Sequence, residues 1–550
     1  MSWPSGKHRK KVRSAEGEKV RGEKGAGAFR PSSVRTFLPS AVVRPLAIIV
    51  VLVLAAALLA NSMTKEVSRD EQMYCTAGVL LGQGQMIYRD FSYPSQLPYH
   101  PLLLAILYRG LGTTHYLLAG RLVSVLCDIL VVIFILLIYR FIFGPDRRAG
   151  LLLGVAAAVL YVFNPLVDYA AGYAWNHDVV ILCVIASFWL FVTTDFQQGS
   201  RFWRMGAVGA LLTFATCMRV TTVLIELLFL AAILFIAGGS VRHRIRTALP
   251  FCAAALIVAL WPLWVIAQAP RAFWLNFVQI PTLYGRWLHE IGRTFGKATL
   301  TVDALTQPGY VALLVMGVYL VGIVWRQRSR LDRMERQKAV VAALLPLWFF
   351  MIAYIPPTMW HQYLAMPVPF IAVALAYPSV ALRRHAEESG DKRRYRLTCG
   401  LMGAAAIVAV LAYPVVWYRC LFLAVPERWT PIEFHRVSVK IGADLREPGP
   451  VLTLGPLHAL EGGRDIYPEL SCGSVVYRVA DRMAAQERQI THAIGPETLD
   501  EMVRTHPPAG IIVGVEPSYF ASLEEPLRKL APPDCVRDTY GDTLQVYHRR

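Results

Sequence analysis

Between residues 43 and 418 the chain is a succession of apolar runs, each roughly 18 to 25 residues long, separated by short clusters of arginine and lysine. A helix of about 20 residues crosses the ~30 Å hydrocarbon core of a bilayer, and inside lipid a helix satisfies all its backbone N–H and C=O groups within itself. Of the 550 residues, 55% are hydrophobic and only 17% charged, with a mean hydropathy of +0.42. That is more apolar surface than a soluble core of this length requires. The pattern predicts a polytopic α-helical membrane protein.

The basic clusters orient it. Those at 140–148, 201–204, 242–246, 326–338 and 383–396 mark the cytosolic side, where lysine and arginine accumulate. Spans near 43–61, 115–141, 150–168, 177–195, 205–220, 221–239, 249–269, 309–325, 338–355, 363–382 and 397–418 then give about eleven crossings with every cluster inside. The first run lies too far from the start, and lacks a small-residue cleavage site, for a signal peptide; it reads as a retained anchor. Residues 1–42, polar and rich in Gly, Lys and Arg, read as a disordered cytosolic tail, 43–420 as the transmembrane domain, and 421–550 as an extracytoplasmic domain. An integral, multi-pass protein of the plasma (inner) membrane is expected.

Two stretches depart from the spanning pattern. The run 97–111 is too short to cross, and counting it would move 140–148 to the outer side, so it reads as an interfacial helix. The outer loop 61–114 then holds one helix after Asp70 and a second after Pro101. Beyond Trp429 the chain is punctuated by Pro and Gly, and strands are expected at Val451-Leu452-Thr453-Leu454, Gly510-Ile511-Ile512-Val513-Gly514-Val515 and Leu544-Gln545-Val546-Tyr547. Helices are expected over 496–505 and 522–530, making a small α/β domain.

The net charge of +18 does not point to nucleic acid, because the basic residues sit in loops that the positive-inside rule already explains and lack aromatic interleaving. Nine cysteines without C-x-x-C spacing exclude the common zinc and iron–sulfur patterns. Cys472 and Cys535 share the outer domain, where an oxidising compartment would permit a disulfide. No internal repeat is evident.

Chemistry is signalled by Ser68-Arg69-Asp70-Glu71-Gln72-Met73-Tyr74, an acidic pair placed just past the first span on the outer side. A positioned carboxylate can act as a general base, and Asp70 is the first candidate, with Glu71 beside it and Asp178 from the next outer loop as a further catalytic carboxylate. The competing reading has Ser68 and Asp70 merely capping a helix, and Asp178 capping another. Arg219 interrupts an apolar stretch at an outer turn, where a cation at headgroup depth suits a lipid phosphate; pairing with Glu226 or snorkelling is the alternative. Arg89 and Arg121 are further cation candidates. His177 sits beside Asp178, and His361 follows Trp360, where sugar stacking competes with an interfacial aromatic belt.

Arg69-Asp70-Glu71-x-x-Tyr74, Leu81-Gly82-Gln83-Gly84, Tyr88-Arg89-Asp90-Phe91 and Pro98-Tyr99-x-Pro101-Leu102-Leu103, with His100 at the variable position, together resemble the first outer loop of C-type (GT-C) membrane glycosyltransferases. The likeness is to bacterial relatives of dolichyl-phosphate-mannose protein mannosyltransferases and to lipid A aminoarabinose transferases, and it extends to Arg121 and to Asn176-His177-Asp178. It implies inverting transfer of a hexose or pentose from a polyprenyl-phosphate donor to a hydroxyl of a glycan, lipid or protein acceptor. Arg89, His100, Arg121, His177, Arg219 and His361 become the candidate substrate-binding set. No cofactor is assigned, and a role for a divalent metal stays open. One departure is Gln96-Leu97-Pro98, where the aminoarabinose transferases carry a lysine before the proline pair.

Other classes predict other features. A transporter or flippase for a lipid-linked or small polar substrate would usually show internal repeats with paired broken spans. A sugar-sensing scaffold would need no acidic pair, and the tryptophan-tryptophan-aspartate signature of oligosaccharyltransferases is absent.

Overall fold

The computed structural model describes residues 40–196, 199, 201–293, 296–541 and 543–549. The expected N-terminal tail falls almost wholly outside them.

Ten helices lead up to and frame the site: α1 (Ser40–Thr64), α2 (Arg69–Gly82), α3 (Tyr99–Leu111), α4 (Tyr116–Ile142), α5 (Arg147–Val162), α6 (Pro165–Ala170), α7 (His177–Val192), α8 (Arg201–Thr216), α9 (Val223–Ile236) and α10 (Val241–Gln268). Among the described residues six helices are long and apolar enough to cross a membrane, and seven if the pair Lys297–Thr306 and Pro308–Ile323, bent by 86°, forms one span. They make this an integral membrane protein. The other runs expected to span are also helical but shorter. At ~1.5 Å per residue, the 16 residues of α5, α7 or α8 reach only about 24 Å.

Local chemistry explains the interruptions. After α5, Asn164 accepts from the Leu166 N–H (3.0 Å) and Pro165 occupies the first helical position, so a new helix starts at an angle the chain itself dictates. Between α8 and α9 the backbone of Arg219 is extended, with φ −142° and ψ 100°. The run 97–111 forms α3, which starts at Tyr99, two residues earlier than expected; Pro101 is tolerated because first-turn N–H groups lack intrahelical partners.

The C-terminal region carries a four-stranded sheet. Strands β1 (Val451–Thr453), β2 (Gly510–Val513), β3 (Val536–Tyr540) and β4 (Leu544–His548) are ordered β1-β2-β4-β3. β1 and β2 run parallel with Val451 opposite Gly510, while β4 is antiparallel to both β2 and β3. Leu452, Leu454, Tyr467, Tyr477, Ile511 and Val513 build its core. Cys472 and Cys535 are separate thiols; Cys472 is buried and its Sγ donates to the Ser92 carbonyl (2.9 Å). That bond ties the sheet region to the segment between α2 and α3, as does Ser92 Oγ donating to the Thr491 carbonyl (2.5 Å).

Candidate active site

The first turn of α2 is fixed by its own sequence. Ser68 is the N-cap, its hydroxyl accepting from the Asp70 N–H (3.3 Å) while its N–H donates to Glu71 Oε2 (2.9 Å). This is the reciprocal arrangement of a Ser-x-x-Glu capping box. Glu71 thereby does the capping that could have fallen to Asp70. No hydrogen bond or ion pair engages the Asp70 carboxylate among the described residues.

Glu71 is wholly enclosed. Arg121 meets it with a two-point contact, Nε to Oε1 (2.9 Å) and Nη2 to Oε2 (2.8 Å), and the Ala174 N–H donates to the same carboxylate (2.7 Å). Arg121 spends its other donors on carbonyls at and just past the end of α1: Ser62 (2.7 Å), Lys65 (2.9 Å) and Glu66 (3.0 Å). Neither side chain has solvent exposure. Lys65 completes the knot, donating to the carbonyls of Tyr169 (3.1 Å) and Ala171 (2.5 Å). Glu71 and Arg121, expected to act on substrate, instead hold α1, α2, α4 and the 169–174 segment together.

Asp70 faces the other way, into a cavity of about 490 Å³. Its wall includes Arg69, Tyr74, Arg219, Tyr284, Tyr363 and Arg478, with Trp360 at one side. Arg219 lies over the Tyr363 ring, 4.5 Å from its centroid. Glu226 does not pair with it; that carboxylate accepts from the hydroxyls of Thr213 (2.6 Å) and Thr216 (2.9 Å). The extended backbone that aims Arg219 is pinned by Asn176, whose Nδ2 donates to the Met218 carbonyl (2.9 Å) and to Gln96 Oε1 (2.9 Å). Burial raises the Asp70 carboxyl above the ordinary carboxylate range; Arg69 and Arg478 oppose that rise, and Glu71 adds to it. A carboxylate in this position can accept a proton, and the arginine across the same space can hold an anion.

The remaining candidates divide. His177 lines a smaller adjoining pocket of about 60 Å³ together with Asp70, Trp175 and Arg219. Asp178 is fully buried in the first turn of α7, Oδ2 accepting from the Gly172 N–H (2.9 Å), and is off the cavity wall. His100 is buried against Tyr74, ring centroids 5.0 Å apart, and burial pushes its pKa down to about 3. Arg89 is exposed and held by Asp90 (2.8 Å) and Gln268 (3.1 Å). His361 pairs with Asp303 (3.0 Å) outside the cavity that its neighbours Trp360 and Gln362 line.

The cavity also holds Arg478, Tyr284 and Tyr363, none of them among the candidate site residues. Arg478 is nearly buried, donating to Glu516 (2.8 Å), Ser474 (2.9 Å) and Tyr284 (3.2 Å). Nothing in its local sequence, Val476-Tyr477-Arg478-Val479, announces a site. Among the described residues no group of three or more His, Cys, Asp or Glu side chains is arranged to hold a metal ion.

Comparison with known proteins places this geometry. Residues 94–266 match the family model of dolichyl-phosphate-mannose-protein mannosyltransferase. No curated protein matches the chain. Among solved structures, ArnT from Cupriavidus metallidurans bound to undecaprenyl phosphate superimposes with a TM-score of 0.58 at 13% identity, covering 92% of this chain and 97% of that one. Its apo form gives 0.59, also at 13% identity, over 92% and 98%. At such identity the likeness is one of fold, which this chain shares with ArnT over nearly the whole length of both.

Proposed function

We propose that this protein is a membrane glycosyltransferase that moves a sugar, with inversion, from a polyprenyl-phosphate donor to an acceptor hydroxyl at the outer face of the membrane. The observation that carries this reading is the uncommitted Asp70 carboxylate lining the same cavity as Arg219. In the reaction Asp70 takes the acceptor hydroxyl proton as the new bond forms between that oxygen and the anomeric carbon. The bond from that carbon to the phosphate oxygen breaks with its electron pair, and Arg219 stabilises the departing polyprenyl phosphate. Tyr74, Tyr284, Trp360 and Tyr363 give the sugar aromatic surfaces with hydroxyl and N–H groups at their edges. The fold shared with an ArnT bound to undecaprenyl phosphate supports a lipid-phosphate donor.

The topology consistent with this has about eleven crossings, a cytosolic N-terminus and an extracytoplasmic C-terminal domain, so that the cavity opens on the outer side. The acceptor is then a cell-envelope glycan, lipid or protein. The test is to supply purified protein with polyprenyl-phosphate hexoses and pentoses, and to follow release of polyprenyl phosphate and the anomeric configuration of the product. Retained configuration rejects direct displacement. Uptake into sealed vesicles without lipid-phosphate release identifies a transporter.

A further inference from the structure

The C-terminal region reaches into the cavity through a cluster of three charges. Glu516 Oε2 accepts from Arg478 (2.8 Å) and from Arg69 (3.3 Å), the residue next to Asp70 in the first turn of α2. The side chains of Glu516 and Arg478 are buried, at 0% and 1% exposure. Glu516 is itself held by a carboxylate: Glu524 accepts the N–H groups of Gly514 (2.7 Å), Val515 (2.9 Å) and Glu516 (3.3 Å). The Phe520 ring packs on both arginines, 5.0 Å from Arg69 and 4.4 Å from Arg478. A glutamate shared by two arginines leaves one positive charge unbalanced beside Asp70.

We propose that Arg478 and Glu516 are positioning residues that together fix the Arg69 guanidinium at the cavity Asp70 lines, Arg478 adding positive charge there and Glu516 offsetting part of it. Their influence on Asp70 is opposite in sign, because one brings positive charge toward it and the other neutralises it. Among the described residues the charged and titratable groups around Asp70 are Arg69, Glu71 and Tyr74 on α2, His177 at the start of α7, Arg219 at the α8–α9 turn, Tyr169, Tyr284 and Tyr363 on the walls, and Arg478. Of these, only the Arg69 and Arg478 guanidiniums are both joined to Glu516.

The inference rests on Asp70 being the base. The experiment is the pH profile of kcat/KM with a polyprenyl-phosphate sugar. Arg478→Gln should move the acid limb to higher pH by about one unit, the effect of removing a nearby opposite charge, while Glu516→Gln should move it to lower pH. Arg478→Lys keeps the charge and should leave the limb close to wild type, although the fork that reaches Glu516 and Tyr284 together is lost. A merely structural cluster predicts loss of activity in all three variants with the limb unmoved, or moved in one direction, and either result overturns the proposal. Should Arg478→Gln fail to fold, Glu516→Gln decides alone, an unchanged or upward limb being the overturning result. Asp70→Asn separates the two readings: if it retains an acid limb and activity, the assignment of the base has failed, whereas a dead Asp70→Asn with immobile limbs in the other variants sinks only the positioning role.

Discussion

Asp70 and Glu71 are neighbours in one turn of one helix, yet they occupy opposite kinds of environment. Glu71 accepts from Arg121 at two points and from two backbone N–H groups inside a sealed nest. Asp70 has no such partner and faces a cavity. A buried charge is tolerable only when paired and hydrogen-bonded, whereas a carboxylate that must take a proton cannot be fully satisfied beforehand. The capping box decides which does which, because the residue three positions after the N-cap is the one that folds back. The contrast teaches that the acidic pair is divided in its surroundings, Glu71 tied into the structure and Asp70 left open to the cavity.

The largest expected effect tests the sealed side. Arg121→Ala leaves Glu71 buried without its cation, and removing one partner of a buried pair is expected to destabilise by about 3–5 kcal/mol. Thermal unfolding in detergent measures it. Replacing both partners, Glu71→Leu with Arg121→Met, should recover part of that loss, since no lone charge remains. If Arg121→Ala folds normally and is merely inactive, the nest has a chemical role and the contrast fails.

On the open side, Asp70→Asn should lower turnover by roughly a hundredfold or more, the usual contribution of a general base, equivalent to about 2.7 kcal/mol of barrier. Stability should hold or rise slightly, because burial already disfavours the charged form of Asp70. Its raised pKa also fixes the sign of the pH dependence. Activity should fall as the solution is acidified through a value above the ordinary carboxylate range, since protonation removes the base.

Much of this was readable from the chain. Lipid permits few alternatives to helix, so each apolar run became helical, and Ser68 followed by Glu71 three residues later announced α2. Asp70 and Arg219, far apart in the sequence, line one cavity. What escaped required long-range folding: Glu71 and Arg121 are 50 residues apart, and Arg69 meets Glu516 across 447. Strand β3, Val536-Arg537-Asp538-Thr539-Tyr540, was missed because it is a polar edge strand with only Tyr540 buried, which leaves no apolar pattern to read. His100 and Asp178 drew notice as ionisable residues beside apolar runs, but enclosed side chains and cavity-facing ones look alike at that level.

A smaller effect is expected at Arg219, the cation of the open side. A charge-assisted contact to phosphate contributes roughly 1.5–3 kcal/mol, so Arg219→Gln should weaken polyprenyl-phosphate binding about tenfold to a hundredfold, and Arg219→Lys should recover only part. Because Glu226 is satisfied by Thr213 and Thr216, Arg219→Gln should leave stability close to wild type. Unchanged lipid-phosphate affinity with lowered stability would make Arg219 a structural residue.

The smallest effect should come from His361, and its smallness is informative. Its Nε2 meets Asp303 at 3.0 Å with both side chains partly exposed, at 34% and 60%, and exposed ion pairs contribute little. The helix His361–Ala365 turns that ring outward against Tyr169, at 6.0 Å between centroids, while Trp360 and Gln362 on either side line the cavity. His361→Ala should therefore keep activity within about twofold of wild type. Trp360→Ala, one residue earlier, removes an aromatic wall and should raise KM for the sugar donor more than it lowers kcat. A tenfold loss for His361→Ala would mean that the 357–363 segment turns inward when substrate binds, making the cavity wall opposite Asp70 a moving part and extending the open side of the contrast to a residue that now stands outside it.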